Sequence, residues 1–181
     1  MLLVVDNGSV YTQSLLESIK DLAIDFVSYP FSSLSSLNLG NFTSIILSGR
    51  RTNNSEMNII NSKLIRHSLE ENKPLLGICY GAEILALTLG GTIKKMESSR
   101  HGLYEVEITK NNPLCDGKIK AFESHSYRVS KLNSSFSQIA KSVDCEFEIF
   151  QYEDKNIFGT QFHPEMSPDG KMLLKQFTSI T

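Results

Sequence analysis

Cys79 lies in the run GICYGAEILA, residues 77–86, with a glycine two positions away on each side. An apolar stretch precedes it and a helical pattern follows. Such a cysteine has the setting of a nucleophile elbow. The turn would force it into a strained backbone conformation, and the glycines would let neighbouring backbone come close without a Cβ clash. The thiol would project above the carboxyl end of a sheet, where open α/β folds place their sites. The positive end of the next helix would favour an anionic sulfur, and the Tyr80 amide would be free to donate to an oxyanion. The same pentapeptide also suits a small buried cysteine in a tight strand-to-helix turn.

A cysteine nucleophile needs a base, and the base needs an orienting partner. Of the four histidines, His67 falls on a predicted helix among charged residues and reads as solvated. His163 falls in GTQFHPE, just past a strand, where Pro164 ends the ladder and fixes the turn. Glu165, two residues on, could reach the second ring nitrogen of His163. The alternative is a surface histidine in a turn with an incidental acid beside it.

The elements that must position these residues follow from hydrophobic periodicity. Strands are predicted at 2–6, 25–29, 44–48 and 73–79, alternating with helices near 11–22, 55–71 and 82–91. The run SIILS is apolar throughout, as a strand covered on both faces would be, and Gly90 and Gly91 stop the third helix. This alternation predicts an α/β fold with a mostly parallel sheet and helices on both faces. The second half changes to TIKKM, LYEVEIT, KIKAFES, FEIFQYE and NIFGTQF, strands separated by short turns and suited to antiparallel pairing, with a closing helix over about 170–179. The stretch SSLSSLNLGN, 32–41, reads as a surface loop. Glu146 and Glu148 read as the alternation of a half-buried strand, and Lys94 and Lys95 as a solvated strand end.

At 181 residues the chain fits one domain, 1–181, and can bury roughly two-thirds of its unfolded surface without a disulfide or metal. A net charge of −2 gives no electrostatic case for nucleic acid or an anionic membrane. No apolar run approaches the ~20 residues of a membrane span, and the start MLLVVDNGSV lacks the pattern of a signal peptide. The three cysteines, Cys79, Cys115 and Cys145, are odd in number and have no CxxC spacing, which predicts reduced thiols and a cytoplasmic setting. Cys115 and Cys145 read as structural.

Taken together, GICYGAEILALTLGG and GTQFHPE closely resemble the class I (triad) glutamine amidotransferases. VVDNGSVYTQSL, IILSG, NNPLCDG and ESHSYRV match further segments, so the likeness runs along nearly the whole chain. Within the family it is most similar to the glutaminase subunit of archaeal-type GMP synthase; the HS of ESHSYRV is also similar to the anthranilate synthase glutaminase. The resemblance implies a three-layer α/β sandwich and a hydrolase acting on the side-chain amide of glutamine. Cys79 would form a γ-glutamyl thioester, with His163 as general base and acid and Glu165 orienting it. The Tyr80 amide and a loop amide near Gly49 and Arg50 would bind the oxyanion. Backbone around Ser126 and Tyr127, with the residue at position 83, would hold the substrate. The resemblance implies no cofactor or metal, a separate synthetase that accepts the ammonia, and a place in purine biosynthesis.

Three departures stand against that pattern. The oxyanion loop of the family reads S-G-G-P, whereas this chain has Ser48, Gly49, Arg50 and Arg51. A side chain at position 50 is disfavoured if φ must be positive there, and both arginines are expected to point to solvent. The family has glutamine four residues after the cysteine; this chain has Glu83, one helical turn from Cys79. A carboxylate there opposes an anionic sulfur unless Arg50 or Arg51 neutralises it, so Glu83→Gln is expected to raise activity. Tyr127 and Arg128 replace the Asp-Lys of GMP synthases. Glu83 and the arginine pair favour a second reading, a stand-alone amidase or γ-glutamyl hydrolase with an altered substrate. A third reading is a binding protein that keeps the fold without turnover.

Overall fold

The computed structural model describes residues 1–180. Nine strands form one sheet in the order β2-β1-β3-β4-β9-β8-β7-β5-β6. In chain order they are β1 (Leu2–Asp6), β2 (Phe26–Pro30), β3 (Ser44–Leu47), β4 (Leu75–Ile78), β5 (Thr92–Ile108), β6 (Lys118–Lys131), β7 (Phe136–Lys141), β8 (Ile149–Tyr152) and β9 (Ile157–Thr160). The helices are α1 (Thr12–Lys20), α2 (Ser55–Glu70), α3 (Tyr80–Thr88) and α4 (Pro168–Ser179). Pairings from β2 through β1, β3 and β4 to β9 are parallel; those from β9 through β8, β7 and β5 to β6 are antiparallel.

The parallel strands are apolar throughout because both of their faces are covered. Alternate residues feed two cores. Leu2, Val4, Ile46, Leu76 and Ile78 pack with Leu15 and Ile19 of α1 and with Leu173, Leu174 and Phe177 of α4. Leu3, Val5, Ile45, Leu47 and Leu75 pack with Met57, Leu64 and Ile65 of α2 and with Leu85 of α3. Local signals set the helix starts. The Asn54 side chain accepts from the Met57 amide at α2, and Ser167 accepts from the Gly170 amide at α4, with Pro168 at its first position. Among the described residues no helix is long and apolar enough to cross a membrane.

Several elements differ from the sequence reading. Residues 32–41 form two short 3₁₀ turns, Phe31–Ser36 and Leu39–Asn41, tied down by the buried Leu34. TIKKM and LYEVEIT belong to one long strand, β5, with a register shift between Lys95 and Arg100 where it pairs β6. β7 was not anticipated, because SFSQIAK has too little apolar alternation to mark it. Glu148 is fully buried rather than half-buried, just before β8.

The topology places four loops side by side. β1, β3, β4 and β9 are neighbours and run parallel, so the segments after Asp6, Leu47, Ile78 and Thr160 leave the sheet on one edge. The β5–β6 hairpin reaches back over that edge, where Phe122 forms an isolated bridge with His163.

Candidate active site

Cys79 joins β4 to α3 with φ 50° and ψ −103°. For a residue with a Cβ this is a sparsely populated conformation, costing on the order of 1–3 kcal/mol. The strain is held in place from both sides. The Cys79 amide donates to the Thr160 carbonyl at 2.7 Å, and the Cys79 carbonyl accepts from the Glu83 amide at 2.9 Å. The flanking glycines are required by space: a Cβ on Gly77 would sit 2.5 Å from the Gly81 carbonyl, and one on Gly81 would sit 2.3 Å from the Leu47 carbonyl. Tyr80 opens α3, so its N–H is one of the amides that a helix leaves without an internal partner.

His163 follows β9, the strand beside β4, so its imidazole stands near enough to Cys79 for their charges to interact. Its Nδ1 faces Glu165 Oε1 at 2.8 Å. Burial pushes the imidazole towards its neutral form, but the charge and contact of Cys79, and then Glu165, outweigh it and raise the pKa to about 10. The ring is fixed by neighbours the sequence did not single out. Tyr11 packs against it with ring centroids 4.6 Å apart and donates its hydroxyl to Ser124 Oγ at 3.1 Å. The His163 amide donates to the Phe122 carbonyl at 2.8 Å.

Gly49 and Arg50 border the same centre after β3. A Cβ on Gly49 would lie 2.8 Å from His163 Cε1. Arg50 is not among the described non-glycine residues with positive φ, so its side chain brings no backbone penalty. This loop is anchored to the turn after β1. The Asn7 amide donates to Ser48 Oγ at 2.9 Å, and Asn7 Nδ2 donates to the Ser48 carbonyl and to Asn61 Oδ1. Asn61 returns a bond to Asn7 Oδ1 at 2.8 Å.

A cleft of about 550 Å³ opens beside Cys79, lined among others by Arg50, Glu83, His125, Ser126 and Tyr127. Arg51 is exposed at its edge as expected, but Arg50 is not a solvent-directed side chain. Its guanidinium lies 4.2 Å over the Tyr80 ring and donates to Asn53 and Asn58, and the Tyr80 hydroxyl donates to Asn58 at 2.8 Å. Burial raises the pKa of Glu83; the charge of Arg50, the Gln161 side chain and the charge of His125 work against that. Of the two arginines the sequence offered as counter-charge, Arg50 stands beside Glu83; His125, to which the sequence gave no role, acts in the same direction, and burial still leaves the carboxyl raised. Ser126 bonds Ser99 across the hairpin at 2.8 Å, while Tyr127 stands at the rim. Among the described residues all three cysteines are free; burial raises the Cys115 thiol to about 12 and pushes Cys145 higher still.

A strained thiol, a carboxylate-paired imidazole near it and the N-terminal end of α3 beside it suit acyl transfer through a tetrahedral intermediate. The family model described as glutamine amidotransferase class-I matches residues 3–179. The chain belongs to this family. Its fold is accordingly the class I amidotransferase α/β fold with a mixed sheet. The chain is 31% identical to a glutamine-hydrolyzing GMP synthase subunit of Pyrococcus furiosus, over 99% of this chain and 98% of that one. It is also 31% identical to the corresponding GMP synthase subunit of Methanosphaera stadtmanae, over 99% and 97%. Among solved structures, a glutamine amidotransferase from Thermotoga maritima superposes with a TM-score of 0.81 at 20% identity, covering 99% of this chain and 82% of that one. As a class I glutamine amidotransferase the protein is a glutamine-hydrolysing enzyme.

Proposed function

We propose that residues 1–181 form a single-domain glutaminase subunit that hydrolyses glutamine through Cys79, His163 and Glu165 and delivers ammonia to a separate, GMP-synthase-type synthetase in the cytoplasm. The observation that carries this reading is the His163–Glu165 pair, 2.8 Å apart just past β9, beside the strained strand-to-helix turn that holds Cys79. The sulfur of Cys79 attacks the side-chain amide carbon of glutamine, and the carbonyl oxygen gains the charge. The amides of Tyr80 and Arg50 donate to that oxygen. His163 gives its proton to the departing nitrogen, and the C–N bond breaks to release ammonia and leave a γ-glutamyl thioester. His163 then takes a proton from water as the water attacks the thioester carbon, the C–S bond breaks, and glutamate leaves, with the Cys79 thiolate and protonated His163 restored. Glu83, Ser126 and Tyr127 hold the amino-acid end of the substrate.

A separate synthetase is supported by the relatives: the Pyrococcus furiosus and Methanosphaera stadtmanae proteins it resembles are each named as a subunit of GMP synthase. Ammonia release from glutamine by wild type, Cys79→Ala and Glu83→Gln, with and without a GMP-synthase-type ATP pyrophosphatase, tests the proposal. We expect slow release by wild type, stimulation by the partner and none from Cys79→Ala. Because Arg50 and His125 stand beside Glu83 and oppose the effect of its burial, the gain first expected of Glu83→Gln gives way to a rise in KM. No release above Cys79→Ala under any condition overturns the reading. The turn of Arg50 into the cleft favours a second reading, a γ-glutamyl hydrolase or other amidase. Turnover of γ-glutamyl amides with glutamine inert and no partner needed would select it.

A further inference from the structure

Behind the cleft lies a buried ionic network that the proposed chemistry does not use. Glu123 is fully buried on β6 and Arg100 nearly so on β5. Arg100 Nε lies 3.0 Å from Glu123 Oε2, and the guanidinium stacks 3.9 Å over the Tyr104 ring. Its Nη1 donates to Ser142 Oγ at 2.7 Å and lies 3.6 Å from Glu148 Oε1. Arg100 is thereby fixed, and it presents Glu123 with one permanent positive charge.

Glu123 Oε2 meets a second group, His125 Nε2, at 2.9 Å. The other ring nitrogen, Nδ1, lies 2.7 Å from the Tyr127 carbonyl oxygen. A carbonyl can only accept, and a carboxylate paired with Arg100 can only accept. The two contacts are satisfied together when both ring nitrogens carry protons. Glu148, the second carboxyl at this point, is raised by burial and then by the charge of Glu123, and Arg100 lies closer to Glu123, at 3.0 Å, than to Glu148, at 3.6 Å. The His125 side chain is almost wholly buried, and with both nitrogens engaged it offers the cleft charge rather than a hydrogen bond.

That charge bears on Glu83, which faces Arg50 and His125 in the same cleft. We propose that Glu123, fixed by Arg100, is a positioning residue: it holds His125 as a cation beside Glu83 and so keeps the Glu83 carboxylate available to the amino group of the substrate. This rests on the reading of Glu83 as a substrate-contacting residue. A hydrophobic or merely polar residue at 123 would take from Arg100 the nearest of its carboxylates and leave His125 with one proton.

The test uses the full-length chain and three variants, Glu123→Gln, His125→Gln and Glu83→Gln, alone and in combination. Nitrogen-15 spectra of the histidine rings at neutral pH are expected to show two protonated nitrogens on His125 in wild type and one in Glu123→Gln. In steady-state glutamine hydrolysis, Glu123→Gln and His125→Gln are each expected to raise KM about tenfold, the equivalent of about one pKa unit, with kcat within about twofold. Their acid limb in kcat/KM moves to higher pH. The groups facing His125 and Glu83 in that profile are Arg50, Cys79, Arg100, Glu123 and Glu148. Both KM effects should vanish in the Glu83→Gln background, which a merely structural role for Glu123 would not produce. A singly protonated His125 in wild type, or a KM rise undiminished in the Glu83→Gln background, overturns the proposal. If Glu123→Gln does not fold, His125→Gln decides the same cycle. If wild type releases no ammonia, the ring spectra still decide the state of His125, so failure of the glutaminase reading is distinguishable.

Discussion

The absent Cβ of Gly49 and the His163 ring compete for one space: built onto the backbone, that carbon would lie 2.8 Å from His163 Cε1 and 3.3 Å from Ser9 Oγ. The glycine of the loop after β3 is thus a steric condition on where the imidazole can stand. Gly49→Ala is expected to turn the ring away from Cys79 and lower kcat about a hundredfold, since small misplacements at a reacting centre have costs of that order. Thermal unfolding should change by only a few degrees. A kcat within threefold of wild type would show that the loop gives way instead of the ring.

Gly81 faces backbone rather than a movable side chain. Its Cβ would meet the Leu47 carbonyl at 2.3 Å, and neither α3 nor β3 can yield cheaply. Gly81→Ala should therefore destabilise the fold by about 1–3 kcal/mol, the usual cost of overpacking. That corresponds to a melting temperature lower by roughly 2–12 °C in a chain of this size. Differential scanning calorimetry measures it.

The strain at Cys79 predicts an ordering of variants. With φ at 50°, glycine fits the elbow better than alanine does. Cys79→Gly should be the more stable of the two by about 1 kcal/mol, and both should release no ammonia. Urea unfolding at one pH compares them directly; a more stable Cys79→Ala would remove the case for strain.

His163 gives the protein a pH signature. Its folded pKa is raised to about 10, mainly by Cys79 against the opposing effect of burial. The stabilisation this represents is complete below the ordinary histidine value near 6.5 and is lost as pH rises through about 10. Unfolding free energy of wild type should therefore fall between pH 7 and pH 10. In Cys79→Ala the foremost influences raising the ring are gone, and this fall should shrink. Proton NMR titration of the ring provides the second readout.

Asn61 carries a prediction about architecture. Its amide exchanges bonds with Asn7 and donates to the Met57 carbonyl, all without solvent. Asn61→Leu should destabilise the chain by about 1–3 kcal/mol, because the buried Asn7 Oδ1 loses the donor it has in Asn61. It should also loosen the Ser48 loop, lowering kcat more than KM rises.

Cys79 and its glycines could be read from sequence because an elbow needs a fixed spacing along one stretch of chain. The parallel half of the sheet was legible for a similar reason: strands such as SIIL, buried on both faces, advertise themselves by unbroken apolar runs. β7 and the long β5 were not legible. Their stability comes from hairpin and ladder partners distant in sequence, and their own patterns are mixed. Arg50 and Glu148 were misjudged because composition suggests solvent for charged groups, whereas Tyr80 and Arg100 supply buried partners for them.

By itself the sequence determined the local chemistry: a cysteine between two glycines, a histidine followed by proline and glutamate, and the α/β order that brings such motifs to strand ends. Those depend on steric and hydrogen-bonding rules that act over a few residues. Only the tertiary structure decided the electrostatics of the cleft. Whether Glu83 stands alone or is balanced depends on Arg50 from the loop after β3 and His125 from β6, with Glu123 and Arg100 behind. Charges interact through space, and residues distant along the chain meet only when the sheet is assembled.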